Sequence, residues 1–227
     1  MKFDKKAFEK ELIELIDGSS DRNDLRHKLI VFWDSRIKQV YGEEIGLFWF
    51  LDTLDSNNEK ARRFLDIEEN DENKKLRQNW VEQSKGMFNN IANGADLDFL
   101  FDSILKGGSF DLYNKRGDTA LIYTMEDGDI VTASLIMLMG RTVATVTFPS
   151  DGELFKQNNA MLTAFKSDPR FLKMLIAINP KNCYNLDNEH AVMHEINLIT
   201  ITPNIEKNLK IYREFVESYE PEEEEEE

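Results

Sequence analysis

At 227 residues, with 41% hydrophobic content, the chain is long enough to bury a sizeable core, and disorder of the whole is excluded. Its formal net charge of −15, from 43 acidic and 28 basic side chains, argues against recognition of a nucleic-acid phosphate backbone. Cys183 is the only cysteine, so an intramolecular disulfide is impossible and a reducing compartment fits.

Residues 1–9 alternate charged and apolar side chains and lack the continuous apolar core of a secretory signal. Phe3, Phe8, Leu12, Leu15 and Ile16 then recur at helical spacing up to Asp17-Gly18-Ser19-Ser20, where glycine ends one helix and Ser or Asp caps the next. Leu25, Leu29, Phe32, Trp33, Ile37 and Val40 predict a second helix closing at Gly42. Residues 45–51 and 61–67 read as a further helix pair, either a worn first repeat or a helical cap on the later helices. The polar stretch 68–75 has no apolar anchor and is expected to be an exposed linker.

The middle of the chain is periodic. Its clearest unit is Asn114-Lys115-Arg116-Gly117-Asp118-Thr119-Ala120-Leu121, then Glu126-Asp127-Gly128-Asp129, then Ile130–Met139 closing on Gly140. It reads as turn, helix, turn, helix, stop. Thr119 suits capping of the first helix, and Gly128 and Gly140 suit left-handed conformations ending the two helices. Ile130, Val131, Leu135, Ile136 and Leu138 form an apolar face too wide for an isolated helix, which therefore needs neighbours on both sides. Aligning Lys85, Thr119, Asn159 and Ala191 gives intervals of 34, 40 and 32 residues, and Gly94 to Gly128 and Gly107 to Gly140 give 34 and 33. Residues from about 85 to 218 thus resemble a degenerate ankyrin-repeat array, whose period is about 33 residues. The match departs from the family's Thr-Pro-Leu-His signature. Its His survives only as His194, Ile122 and Leu162 stand in that slot elsewhere, and its Pro is absent. Residues 141–149 are rich in β-branched side chains and read as an inserted extended strand.

The longest nearly apolar run, 133–139, falls far short of the roughly 18 residues of a membrane span, so a soluble protein is expected. Met87, Met125, Met137, Met139, Met161, Met174 and Met193 all fall in helical patterns and are expected to fill the core. Beyond the helix expected over 211–219, Pro221 and a run of glutamates end the chain. Such a run stays in solvent and solubilises the chain or shields a basic partner surface. Together with ankyrin-like units, the Glu-rich block also resembles effectors that intracellular bacteria deliver through type IVB secretion. It differs in reaching the last residue.

Catalytic signals are weak. His190 and His194 sit one helical turn apart, but the order of residues does not match a His-Glu-x-x-His zinc motif. Lys106-Gly107-Gly108-Ser109 lacks the spacing of a phosphate loop and suits a helix end. No cofactor or metal is implied.

The expected architecture is mainly α: a helical N-terminal region or cap over 1–70, ankyrin-like hairpins over 80–218, a short β excursion near 142–148 and an acidic tail over 219–227. The resemblance implies a protein-interaction module that works first in the bacterial cytoplasm and then in the host cytosol, binding a host protein. It places the binding surface at the turn tips Tyr113, Asn114, Lys115, Arg116, Asp151, Asn185, Asp187 and Asn188, with Tyr123 and Glu126 lining the groove. The competing expectation is an effector enzyme using polar groups of the N-terminal helices, Arg26, His27, Asp34 and Arg36.

Overall fold

The computed structural model describes residues 3–66, 71–110, 118–140, 160–184 and 202–220. These residues form α1 (Lys5–Asp17), α2 (Arg22–Tyr41), α3 (Leu47–Asp66), α4 (Asp71–Ala92), α5 (Leu97–Leu105), α6 (Ala120–Glu126), α7 (Ile130–Met139), α8 (Ala160–Lys166), α9 (Pro169–Ile178), α10 (Pro180–Cys183) and α11 (Pro203–Ser218). The fold is mainly α, with no sheet among the described residues. The β excursion expected near 142–148 lies outside them.

The first two helices follow their apolar periodicity. The Asp4 side chain accepts from the Ala7 N–H and that of Asp21 from the N–H groups of Asn23 and Asp24, satisfying donors that a helix start leaves open. Two expectations fail next. Residues 45–66 form no helix pair, because α3 runs unbroken through the polar stretch: Asp52, Asp55 and Glu59 face solvent while Leu54, Asn57 and Asn58 face inward. Nor is 68–75 a linker throughout, since Asp71 opens the 22-residue α4. Lys85 therefore sits within a helix, exposed, and not at a repeat start.

From α4 to α9 the helices pair into hairpins, α4 with α5, α6 with α7 and α8 with α9. In the first two hairpins a glycine in the left-handed region follows the first helix, Gly94 at φ +100° and Gly128 at φ +74°. An aspartate then opens the second helix in all three. Asp96 accepts from the Asp98 and Phe99 N–H groups, Asp129 from that of Thr132 and Asp168 from that of Arg170. Gly140 differs from expectation: α7 runs out into extended backbone there, φ −88° and ψ 149°, a conformation open to any residue. Thr119 precedes α6 without a side-chain capping bond.

The hairpins stack, with α4, α6 and α8 side by side in one row and α7 against α9. Nine of the ten residues of α7 are buried, as expected of a helix apolar on every side; α1, α2, α3, α6 and α9 surround it. Helix α11, which starts at Pro203 rather than near 211, closes over α8 and α9. Met87, Met125, Met137, Met139, Met161 and Met174 are all buried; Met193 lies outside the described residues.

Helix α1 crosses the inner turns of all three hairpins. Near its start, Lys5 donates to the carbonyls of Gly94 and Ala95 in the first turn and pairs with Asp129 in the second at 2.5 Å. At its end, Asp17 pairs with Arg170 beside the third turn at 2.6 Å. Arg170 hydrogen bonds, set against a smaller cost of burial, hold the Asp17 carboxyl below its ordinary range. The lengths agree, since 13 residues at about 1.5 Å rise span roughly 20 Å, two helix-to-helix spacings of about 8–10 Å.

Candidate partner-binding surfaces

Of the ten residues expected to meet a partner, the structure describes Tyr123 and Glu126. Both lie on α6. Glu126 is exposed in its last turn. Tyr123 is half-buried, its ring edge-on to Phe88 of α4 with centroids 5.4 Å apart at 81°, so it holds two helices of the row together as well as facing outward. Tyr113, Asn114, Lys115, Arg116, Asp151, Asn185, Asp187 and Asn188 lie outside the described residues.

The polar groups of the N-terminal helices are distributed among structural contacts. Arg36 pairs with Glu11 and stacks over Phe8 and Phe32, 5.5 and 5.1 Å from the ring centroids, joining α1 to α2 through charge and cation–π contact. Asp34 accepts the Leu47 N–H at 2.9 Å and so caps α3 from a neighbouring helix. It also pairs with Lys38 at 2.7 Å. Burial raises its carboxyl pKa, but the Lys38 hydrogen bond, the Leu47 N–H and the Lys38 charge together outweigh burial and keep it below the ordinary value. Gly46 leaves room for this cap, because a Cβ there would collide with the Asp34 carboxylate. Arg26 and His27 are exposed.

Cys183 is fully buried, and burial pushes its thiol up to about 12. A thiol so held is protonated at neutral pH and is a poor nucleophile, since the thiolate is the reactive form. Among the described residues no group of three or more His, Cys, Asp or Glu is placed to hold a metal ion; His190 and His194 lie outside them.

Among the described residues, concavities open at two places of note. One, of about 540 Å³, lies where the α1–α2 turn meets α9 and α11, lined by Ile16, Leu25, Ile176 and Phe215 and by the charged Arg22, Lys173 and Glu214. Its Arg22 guanidinium stacks on Tyr219 at 4.7 Å and on Phe215 at 5.8 Å, which ties the end of α11 to the start of α2. The other, of about 480 Å³, runs between α2 and the start of α3, with Ile30, Val31 and Phe48 as its apolar lining. Sequence periodicity could not reveal it. Val31 lies off the apolar face marked by Leu25, Leu29, Phe32, Trp33 and Ile37, and Phe48 falls within the apolar run of 45–51; they are 51% and 60% exposed.

No helix among the described residues is long and apolar enough to cross a membrane. No protein-family model, curated protein or solved structure matches the chain.

Proposed function

We propose that the chain is a non-enzymatic protein-binding module that engages a host-cell protein through the connections between its stacked helical hairpins. The observation that carries this reading is the placement of α1. By bridging Gly94, Asp129 and Arg170, it occupies the ends of the hairpins where the inner turns lie. The opposite helix ends are those joined through 111–117, 141–159 and 185–201, and these connections contain the eight tip residues of the expected surface. In stacked-repeat proteins such connections carry specificity while the apolar faces are consumed by stacking.

The test is affinity capture from host-cell lysate with the native chain and with a Tyr113→Ser, Arg116→Ala, Asp187→Ala variant. A protein retained by the native chain should be lost with the variant, while the melting temperature stays within about 2 °C, the size expected of surface substitutions. Equal recovery by both would remove the tips from the interface. Tyr123 is left in place because it packs on Phe88.

The Glu-rich end belongs to the same proposal as part of a type IVB export signal. Replacing the glutamates at 222–227 by glutamine should lower delivery of a reporter fusion into host cells several-fold without altering its melting temperature. Undiminished delivery would leave the tail a solubilising role only.

A further inference from the structure

We infer a second docking surface, on the opposite chemistry from the tips: the groove between α2 and the start of α3 takes a basic amphipathic helix of a partner protein. This inference rests on the reading of the chain as a protein-binding module but concerns a different face. Two large apolar side chains stand out in water there, Val31 at 51% and Phe48 at 60% exposure, and Trp49, next to Phe48 in sequence, is 41% exposed. Val31 and Phe48 line the same groove, with Ile30 beneath them. Water against such surface costs about 25 cal/mol per Å² relative to burial, and clustered exposure of this kind marks interaction sites.

Charge identifies the occupant. Glu43 lines the groove, Glu44 lies just before α3 and Asp52 stands one helical turn beyond Phe48; all three are exposed. The lysine in the groove, Lys38, is paired with Asp34 at 2.7 Å and is also attracted by Glu43, so one cation faces two lining carboxylates and, with Glu44 and Asp52 beside them, the rim carries an excess of negative charge. A partner that fills the apolar strip must therefore bring cations around its own apolar anchors. An amphipathic helix with apolar residues at i, i+3 and i+4 and Lys or Arg beside them meets both demands. A second copy of this chain does not, because each copy carries a net charge of −15 and the two rims would repel.

The probe is a fluorescein-labelled Leu/Lys amphipathic helix of about four turns, titrated by anisotropy with the full chain at about 0.15 M salt, where exposed charges are screened beyond about 8 Å. A Leu/Glu helix serves as control. The native chain should bind the Leu/Lys helix and not the control. Val31→Ser with Phe48→Ser should weaken binding by about tenfold or more, as loss of central apolar anchors does, with an unchanged melting temperature. Glu43→Gln, Glu44→Gln and Asp52→Asn together should weaken binding and flatten its salt dependence. Glutamine at 222–227 should leave binding within about twofold, since the tail is not the site.

Undiminished binding by the Val31/Phe48 variant, or loss of binding only with the altered tail, would overturn the inference, as would no binding by the native chain. Sedimentation velocity decides on a second copy: a native dimer abolished by the Val31/Phe48 variant would also overturn it. The tip variant used for host-protein capture should bind the helix normally, so failure of that surface and failure of this groove are separate results.

Discussion

Asn208→Asp should destabilise the protein strongly, lowering stability by about 4 kcal/mol or more and the melting temperature by roughly 10 °C. Asn208 is fully buried on α11. Its Nδ2 donates to the carbonyls of Ala164, Phe165 and Ser167 at 3.2, 3.0 and 3.0 Å, at and just beyond the end of the short α8, where helix carbonyls lack a full set of intrahelical partners. An aspartate in that place has no donor when ionised and sets a carboxylate against three carbonyl oxygens in a buried site. Asn208→Ala is the control. It leaves the same carbonyls without Asn208 but adds no charge, so a smaller loss of about 1–3 kcal/mol is expected.

The pH dependence separates the two variants. The carboxyl introduced by Asn208→Asp would have its folded pKa raised above the unfolded value of about 3.9, so the folded state would hold the proton more tightly. Stability of this variant should then fall as pH rises from about 4 toward neutrality, relative to native protein, because the unfolded state binds fewer protons over that window. Chemical denaturation from about pH 3 to pH 7 reads it. A difference between Asn208→Asp and Asn208→Ala that does not grow with pH would show that the amide, and not the absence of charge, is all the site requires.

That device was invisible in the sequence, and the reason is general. Helix starts and stops that depend on neighbouring residues could be read. Gly42 after α2 and Gly128 between α6 and α7 hold the roles their positions suggested, while the cap of α2 is Asp21, one residue beyond the stretch Asp17–Ser20, and the described methionines of the helical stretches face the core. Caps supplied from elsewhere could not be read. Asn208 serves a helix 41 or more residues earlier, Asn57 donates to the carbonyls of Ile104 and Gly108, and Asp34 opens α3. Each looks like an ordinary polar residue within its own helix.

The misread boundaries have a related cause. Residues 52–60 and 71–75 are polar enough to suggest loops, but a helix with one wet face tolerates long polar runs. Alignment with Thr119 places a repeat start at Lys85, and the equal interval from Gly94 to Gly128 agrees with it; those glycines do mark the turns between paired helices, but the first helix of the earlier pair extends back to Asp71. The position of α1 across the three inner turns depends on Lys5 and Arg170 meeting partners distant in sequence, which periodicity does not encode. The candidate tips were chosen by their place in a repeat, and the groove at Val31 and Phe48 was not legible because periodicity within one helix does not say which exposed apolar side chains of two helices come together.

The tie between the N-terminal helices and the hairpins should depend on Trp33. This side chain is fully buried on α2, edge-on to Phe8 and Phe32, and its indole N–H donates to the Ser134 hydroxyl of α7 at 3.0 Å, across 101 residues of chain. The Ser134 hydroxyl in turn donates to the Val131 carbonyl at 2.8 Å, so its proton is committed and its oxygen is left to accept. Trp33→Ala should cost about 3–5 kcal/mol from lost packing and the cavity left behind. The hydrogen bond itself is isolated by smaller changes. Ser134→Ala strands the indole N–H in the core and should cost about 1–3 kcal/mol, and Trp33→Phe strands the hydroxyl acceptor and opens a small cavity. Because both remove one shared bond, the double variant should be more stable than the sum of the single losses predicts, by about 0.5–3 kcal/mol. Urea denaturation of the four proteins measures this coupling. Strict additivity would mean that α2 is held to α7 by apolar contact alone, and that the buried indole N–H imposes no register on how the N-terminal helices lie across the stack.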